Sequence, residues 1–260
     1  MGALRALLWD VDGTIAETER EGHRVAFNRA FEAFGLSWRW DDAHYARLLR
    51  VTGGRERLLH DMTRRADAPP VASEREALAR ALHQRKNVEY EALVRRGGIA
   101  LRGGVRELMD ECLGRGVRMG IATTTSRSNL DALLGVQLGT GWAERFAVTV
   151  CGEGVQRKKP DPEVYLAALR ELRLGPLDVV ALEDSPGGVA SARAADCAVV
   201  VTRSAYFVDA PIEGAIAIGP GLDTREGWHP APALGSHPGR VHLDDIGHWH
   251  ALRDTVSAFP

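Results

Sequence analysis

Three cysteines in 260 residues, Cys112, Cys151 and Cys197, are too few and too widely spaced for a disulfide framework, and no CxxC pair marks a zinc site. No apolar run approaches the ~20 residues that a membrane helix requires. Neither sign of charge is in excess. The 33 basic residues stand against 35 acidic ones, for a formal net charge of -2, so no field recruits nucleic acid or an anionic membrane surface. Repeats and low-complexity tracts are also missing, and the stretch from Met1 to Asp10 is too short for the apolar region of a signal peptide. These absences lead us to expect a cytoplasmic monomer with no nucleic-acid, membrane or obligate protein partner.

What is present suits one large globular domain, or a domain carrying a substantial insert: 45% of residues are hydrophobic and 26% charged. The most informative stretch is Asp10–Thr14, DVDGT, reached directly after the apolar run Ala6-Leu7-Leu8-Trp9. A short apolar run that ends in carboxylates and a glycine reads as a buried strand with a site at its C-terminal end. Two residues apart on extended backbone, Asp10 and Asp12 project to the same side. Two acids packed near a low-dielectric core repel, which requires either a cation between them or a proton on one.

Beyond Thr14 the pattern is helical for a long way, over Glu17–Phe34, Asp42–Leu49, Arg55–Arg65 and Ser73–Val94, with Arg96-Gly97-Gly98 marking its end. From Gly103 helix and strand alternate, with strands expected at Val117–Ala122, Ala147–Val150, Val179–Leu182 and Ala198–Val201. Helices are expected at Pro162–Leu172 and Gly187–Ala195. Such alternation implies a parallel sheet covered on both faces. The fold class is therefore α/β, a Rossmann-like parallel-sheet core over residues 1–15 and 99–260, with a helical cap of residues 16–98 inserted after the first strand. Residues 204–240 are rich in glycine and proline and read as an irregular excursion, followed by a short helix at Leu243–Val256.

In open α/β sheets ligands sit beyond the C-terminal ends of the strands. The second strand ends there in Thr123-Thr124-Thr125-Ser126, either a capping run or a set of anion-holding hydroxyls. Lys158-Lys159-Pro160 precedes the fourth strand, which itself ends in Glu183-Asp184-Ser185. Acids, hydroxyls, a lysine and further acids at successive strand ends are what an anion, a divalent cation and a nucleophile would need together.

In this order the residues DVDGT, Thr123, Lys159 before Pro160, and EDS resemble the four motifs of the haloacid dehalogenase superfamily, over nearly the whole chain to about residue 203. The resemblance implies that Asp10 attacks phosphorus to give an aspartyl phosphate and that Asp12 is the acid and base, with its pKa raised in the loaded site to serve both. It further implies Mg2+ as cofactor, held by Asp10, the backbone carbonyl of Asp12 and Asp184, with Glu183 beside it. Thr123 and Lys159 would hold the oxygens of the transferring group. Asp10, Asp12, Thr123 and Lys159 are the catalytic candidates.

An insert directly after the first motif is similar to the helical cap of family members that act on small phosphorylated metabolites. Thr52-Gly53-Gly54-Arg55 sets a glycine pair before basic residues, and Lys86 stands on a cap helix. Arg55 and Lys86 are either solvated helix charges or a clamp on a second anionic group. Within the superfamily the chain resembles the CbbY-type phosphatases, which remove one phosphate from xylulose 1,5-bisphosphate. That resemblance makes Glu17, Tyr45, Gly54, Arg55, Arg85, Lys86, Thr124 and Asn129 the substrate-binding candidates. β-Phosphoglucomutase, a sugar phosphate mutase, and phosphoglycolate phosphatase share the motifs, so three substrate classes stay open; a sensor of phosphometabolites with the same fold is a fourth reading. His23 falls one residue later than the family pattern places its histidine and is set aside. The tail histidines His229, His237, His242, His248 and His250 are irregularly spaced, which argues against a metal site among them.

Overall fold

A computed structural model describes residues 4–232 and 239–253. The apolar run after Leu4 forms β1 (Ala6–Trp9), and its four residues are wholly buried because both faces of the strand are covered. Parallel strands β2 (Arg118–Ala122), β3 (Val148–Val150), β4 (Val179–Glu183), β5 (Ala198–Thr202) and β6 (Ala217–Gly219) complete a sheet of order β3-β2-β1-β4-β5-β6. Strand order reverses between β1 and β4, the crevice where ligands of open α/β sheets bind. Trp9 is in register with Ile121 on one side and Leu182 on the other. Asp10, Thr123 and Glu183-Asp184 are therefore delivered side by side at one edge.

Alternation along the strands divides the core into two layers. Leu7 and Trp9 pack on one face with Ile121, Leu130 and Trp249, whereas Ala6 and Leu8 pack on the other with Val164, Tyr165 and Val199. The first layer is backed by α5 (Val105–Gly114), α6 (Arg127–Leu138) and α9 (Leu243–Leu252), the second by α7 (Glu163–Leu172) and α8 (Pro186–Ala194).

Between β1 and α5 the chain is helical, with α1 (Arg24–Ala33), α2 (Asp42–Leu48), α3 (Gly54–Met62) and α4 (Ala72–Arg95). This block has its own core, built by Phe27, Phe31, Trp38, Trp40, Tyr45 and Leu82. Helix α2 begins where the Asp41 carboxylate accepts the His44 N–H at 2.7 Å, an N-cap that satisfies one of the free donors of the first turn. The first expected helix is divided: Glu19–His23 is a π-helical turn, and α1 continues from it to Ala33.

Residues 204–232 hold more regular structure than their composition implies. Ala217–Gly219 adds the sixth strand, parallel to β5, and the Trp228 indole N–H donates to the Gly221 carbonyl at 3.1 Å. A three-residue strand between prolines and glycines has too little periodicity to be seen in the sequence. The terminal helix runs Leu243–Leu252; His237 and residues 254–260 lie outside the described residues.

Candidate active site

Three carboxylates meet at the ends of β1 and β4. Asp10, Glu183 and Asp184 are all buried, and their oxygens lie within 4.8 Å of one another. Gly13, at φ +89°, lets the DVDGT loop fold back against this group; a side chain there would collide with the Asp184 carboxylate. The Lys159 ammonium donates to Asp10 Oδ1 and to Glu183 Oε1, each at 2.6 Å. Glu183 also accepts from the Tyr165 hydroxyl and is fully buried, so its charge is already paired.

One lysine does not balance three acids. Burial pushes the Asp10 carboxyl up to about 7; Lys159 works against this, and the charges of Glu183 and Asp12 add to it. Burial likewise raises Asp184 well above the ordinary carboxylate range, helped by Asp10 and Glu183, although the Ser204 hydroxyl donates to it at 2.5 Å. Lys159 is correspondingly raised: burial opposes its charge, but Asp10 and Glu183 more than compensate. An all-oxygen carboxylate set with surplus negative charge fits a hard divalent cation such as Mg2+.

The Asp12 carboxylate stands apart from this group. Its Oδ1 accepts the Thr18 hydroxyl at 2.5 Å and lies 3.0 Å from His23 Nε2. Burial alone would raise its pKa, but His23, Thr18 and Lys86 outweigh burial and hold the carboxyl well below the usual range. His23, set aside in the sequence reading, thus belongs with the site. It stacks on Tyr90 with ring centroids 4.3 Å apart.

Two adjoining cavities open from here between the sheet edge and the helical block. The inner one, about 290 Å³, is lined by Asp10, Lys159 and Asp184, and also by Thr52 and Phe207. A second, about 130 Å³, continues toward Lys86, His83, Asn129 and Lys158, with Asp12, Glu19 and Arg57 lining both. The chain contains only three lysines against 30 arginines, and all three, Lys86, Lys158 and Lys159, line these cavities. Lys86 is buried with no carboxylate within 4 Å among the described residues; its ammonium lies over the rings of Phe27 and Tyr90 at 5.4 and 5.2 Å. Burial lowers its pKa to about 8, against the attraction of Asp12 and Glu19. His83, pushed down to about 3 by burial and by the neighbouring cations Lys86 and Lys158, is neutral.

The remaining sequence candidates divide. Gly54, Lys86, Thr124 and Asn129 line the cap-side cavity, and Asn129 Nδ2 donates to Asn87 of α4 at 3.2 Å. Thr123 is buried just beneath, its Oγ1 accepting the Thr125 N–H at 3.2 Å. Arg55 faces solvent beside Glu56, and Arg85 is tied to Glu89 at 2.6 Å on the outer side of α4, so neither lines a cavity. Glu17 turns to the Ala205 N–H and Arg102, and Tyr45 lies fully buried behind Arg57, whose guanidinium donates to its hydroxyl at 2.7 Å. Gly53, Thr125, Ser126 and Lys158, named from sequence only within their motifs, line the cavities, as do Glu19, Arg57, His83 and Glu153, which the sequence reading did not single out. Lys158 also reaches across to Glu56 of α3 at 3.2 Å. Two of the tail histidines take structural places: His242 pairs with Glu111 at 2.7 Å and His250 with the Leu177 carbonyl at 3.0 Å.

The model of the haloacid dehalogenase-like hydrolases matches residues 4–196. Protein CbbY of Rhodobacter capsulatus is 44% identical over 203 residues, 78% of this chain and 87% of that protein. The plasmid-borne protein CbbY of Cupriavidus necator is 40% identical over 253 residues, 95% of this chain and 97% of its own length. Among solved structures, CbbY from Rhodobacter sphaeroides in complex with phosphate superposes with a TM-score of 0.76 at 39% identity, covering 82% of this chain and 92% of that one. A mutant of the same protein in complex with xylulose-(1,5)bisphosphate superposes equally well.

Proposed function

The chain belongs to the haloacid dehalogenase-like hydrolase family, and on that premise we propose that it is a Mg2+-dependent phosphatase that takes one phosphate from a small sugar bisphosphate, xylulose 1,5-bisphosphate. The observation that carries this reading is the distribution of lysine. In a chain that otherwise uses arginine for its cations, Lys159 stands at Asp10, and Lys86 and Lys158 stand in the adjoining cavity. One cationic position beside the nucleophile and a second beyond it suit a substrate with two phosphates. The CbbY complex with xylulose-(1,5)bisphosphate supports the same substrate.

In this reading Asp10 Oδ attacks phosphorus, the bond from phosphorus to the sugar oxygen breaks, and that oxygen takes a proton from Asp12. Water then attacks the aspartyl phosphate, gives its proton to Asp12, and the bond from phosphorus to Asp10 breaks to release inorganic phosphate. For Asp12 to carry that proton and reach the leaving oxygen, the hydrogen bonds from Thr18 and His23 that keep it ionised must be exchanged for that oxygen, which lets its pKa rise in the loaded site. Lys159 sits where it neutralises charge growing on the transferred oxygens, and Glu183 with Tyr165 fixes its position. Mg2+, held by Asp10, Asp184 and the backbone carbonyl of Asp12 with Glu183 beside it, would supply further positive charge at the transferring group. Lys86, Lys158 and Arg57 hold the phosphate that is kept. A helical block closing over these cavities would exclude water from the first step.

The test is phosphate release with Mg2+ across xylulose 1,5-bisphosphate, ribulose 1,5-bisphosphate, β-glucose 1-phosphate and 2-phosphoglycolate, with Asp10→Asn as control. Strong preference for xylulose 1,5-bisphosphate is expected. Conversion of β-glucose 1-phosphate to the 6-phosphate without release would instead make the site a mutase, and preference for 2-phosphoglycolate would remove the need for the second cationic position.

A further inference from the structure

Beside the active-site cavities, helices α2 and α3 enclose a further concavity of about 710 Å³. Its walls are cationic, with Arg47 and Arg50 from the end of α2 and Arg64 just beyond α3. The carboxylates in the same walls are already engaged. Asp61 accepts from the Trp40 indole at 2.7 Å, lies 2.8 Å from His44 Nε2 and pairs with Arg65 at 3.4 Å, while Asp67 is held by Arg65 at 3.1 Å and the Trp38 indole at 2.8 Å. Arg65 is spent on those two acids and on the Trp38 ring, 4.5 Å beneath it.

The other three arginines have no carboxylate partner among the described residues. Arg47 donates to His44 Nδ1 at 3.3 Å, an arrangement that leaves the Nε2–H of a neutral imidazole for Asp61. Arg64 folds back on the His60 ring, with a nitrogen 2.6 Å from Nε2, and the Arg50 side chain has no hydrogen-bond or ion-pair partner among the described residues. Three like charges around one concavity repel each other, and each guanidinium presents the planar fork that grips phosphate oxygens in pairs. The volume is that of a metabolite site, and the walls of two helices make it a cleft rather than a flat docking face. Arg50 is the one residue that lines both this cleft and the inner active-site cavity, so the two sites share a wall without merging.

We propose that this cleft is a second anion site that binds a small molecule bearing more than one phosphate-like group, gripped by Arg47, Arg50 and Arg64. The proposal stands on the cleft alone and does not depend on which sugar phosphate the active site takes.

The probe is methylenediphosphonate, which a phosphatase cannot hydrolyse, titrated calorimetrically into the full chain at about 0.15 M salt, where loose counterion association is screened. The Arg47→Gln/Arg64→Gln double variant, both positions being exposed, is compared with the unsubstituted protein, and the single Arg47→Gln serves if the double variant melts early. We expect the double variant to lose one of the binding sites of the parent, and the single variant to bind there about tenfold more weakly, the size of a lost charge-assisted hydrogen bond. Phosphatase turnover stays at the parent level in both. Identical stoichiometry and affinity in parent and variant would overturn the proposal. So would binding of a polyglutamate peptide at these arginines with none of methylenediphosphonate, which would make the cleft a docking face for an acidic chain.

Discussion

His23 Nε2 lies 3.0 Å from Asp12 Oδ1, and a π-helical turn makes that contact possible. An i→i+5 turn accommodates one more residue than an α-turn does. In the Glu19–His23 turn the His23 ring faces the carboxylate. Gly22 lets the widened turn approach Tyr90 and Ile99, where a Cβ would come within 2.9 and 2.6 Å of their side chains.

Replacing His23 by Ala is therefore expected to lower kcat by about 10²-fold, the scale of general acid and base effects, with a smaller change in KM. Without the imidazole, burial of Asp12 is opposed only by Thr18 and Lys86, and its pKa rises. The limb of the pH profile that Asp12 governs should move to higher pH, and steady-state rates over the pH range measure it. An unmoved profile with lower kcat would make His23 a packing residue.

If Lys86 grips the retained phosphate as proposed, it does so at a cost in stability. Its folded pKa of about 8 lies below the ordinary 10.5 because burial penalises the ammonium, so below pH 8 the folded protein carries a buried charge that the unfolded chain solvates. As pH rises from 8 to 10.5 the folded protein has lost this proton while the unfolded chain keeps it, and stability from this group rises over that window. Lys86→Met should accordingly raise the melting temperature at pH 7, with the gain vanishing toward pH 10.5. The same variant should weaken binding of a bisphosphate about tenfold or more, since the lost contact is a charge-assisted one, while barely affecting a monophosphate. In the parent, kcat/KM for the bisphosphate should fall above pH about 8; Lys86→Arg, whose guanidinium does not titrate there, should remove that fall.

Neighbouring residues show what sequence discloses. Asp10, Thr123, Lys159, Glu183 and Asp184 were legible because each stands where an apolar strand ends or just before one begins, and a parallel sheet gathers those ends at one edge. Residues on the helical block were legible only as neighbourhoods. Arg55 was chosen although Arg57 is the one that faces the cavity; Glu17 was chosen although Glu19 does; of Arg85 and Lys86, only Lys86 turns inward. Two positions on a helix differ by about 200°, and which face looks at the sheet depends on the rotation of the helix, which local pattern does not carry. Lys158 entered the sequence reading only as the neighbour of Lys159; in the structure it reaches Glu56 of α3 at 3.2 Å and lines the cap-side cavity.

Chelation should separate structure from chemistry at the carboxylate cluster. EDTA is expected to abolish turnover and Mg2+ to restore it. Because the cation relieves repulsion among Asp10, Glu183 and Asp184, Mg2+ should also raise the melting temperature, with about 2.7 kcal/mol of stabilisation at a hundredfold excess over Kd. Asp184→Asn should lose the Mg2+ response in calorimetry while remaining folded. Turnover that survives thorough chelation would remove the metal from the mechanism.

The segment after β5 should prove structural, despite its length and its histidines. Trp228 and Trp249 stack with centroids 4.7 Å apart, Trp249 is fully buried, and its indole N–H donates to the Pro230 carbonyl at 3.1 Å. Glu111 of α5 accepts from the Leu243 N–H at 2.7 Å and pairs with Arg240 and His242, fastening α9 to the core. Trp249→Ala empties the centre of this packing, and urea denaturation should show a loss of about 3 to 5 kcal/mol, as for other buried tryptophans. Beyond Phe207, no described residue of the segment lines the active-site cavities, so kcat/KM of the folded fraction should match the parent. If instead activity fell while the urea midpoint held, the segment would have to reach the site through the turn at Ser204, whose hydroxyl donates to Asp184.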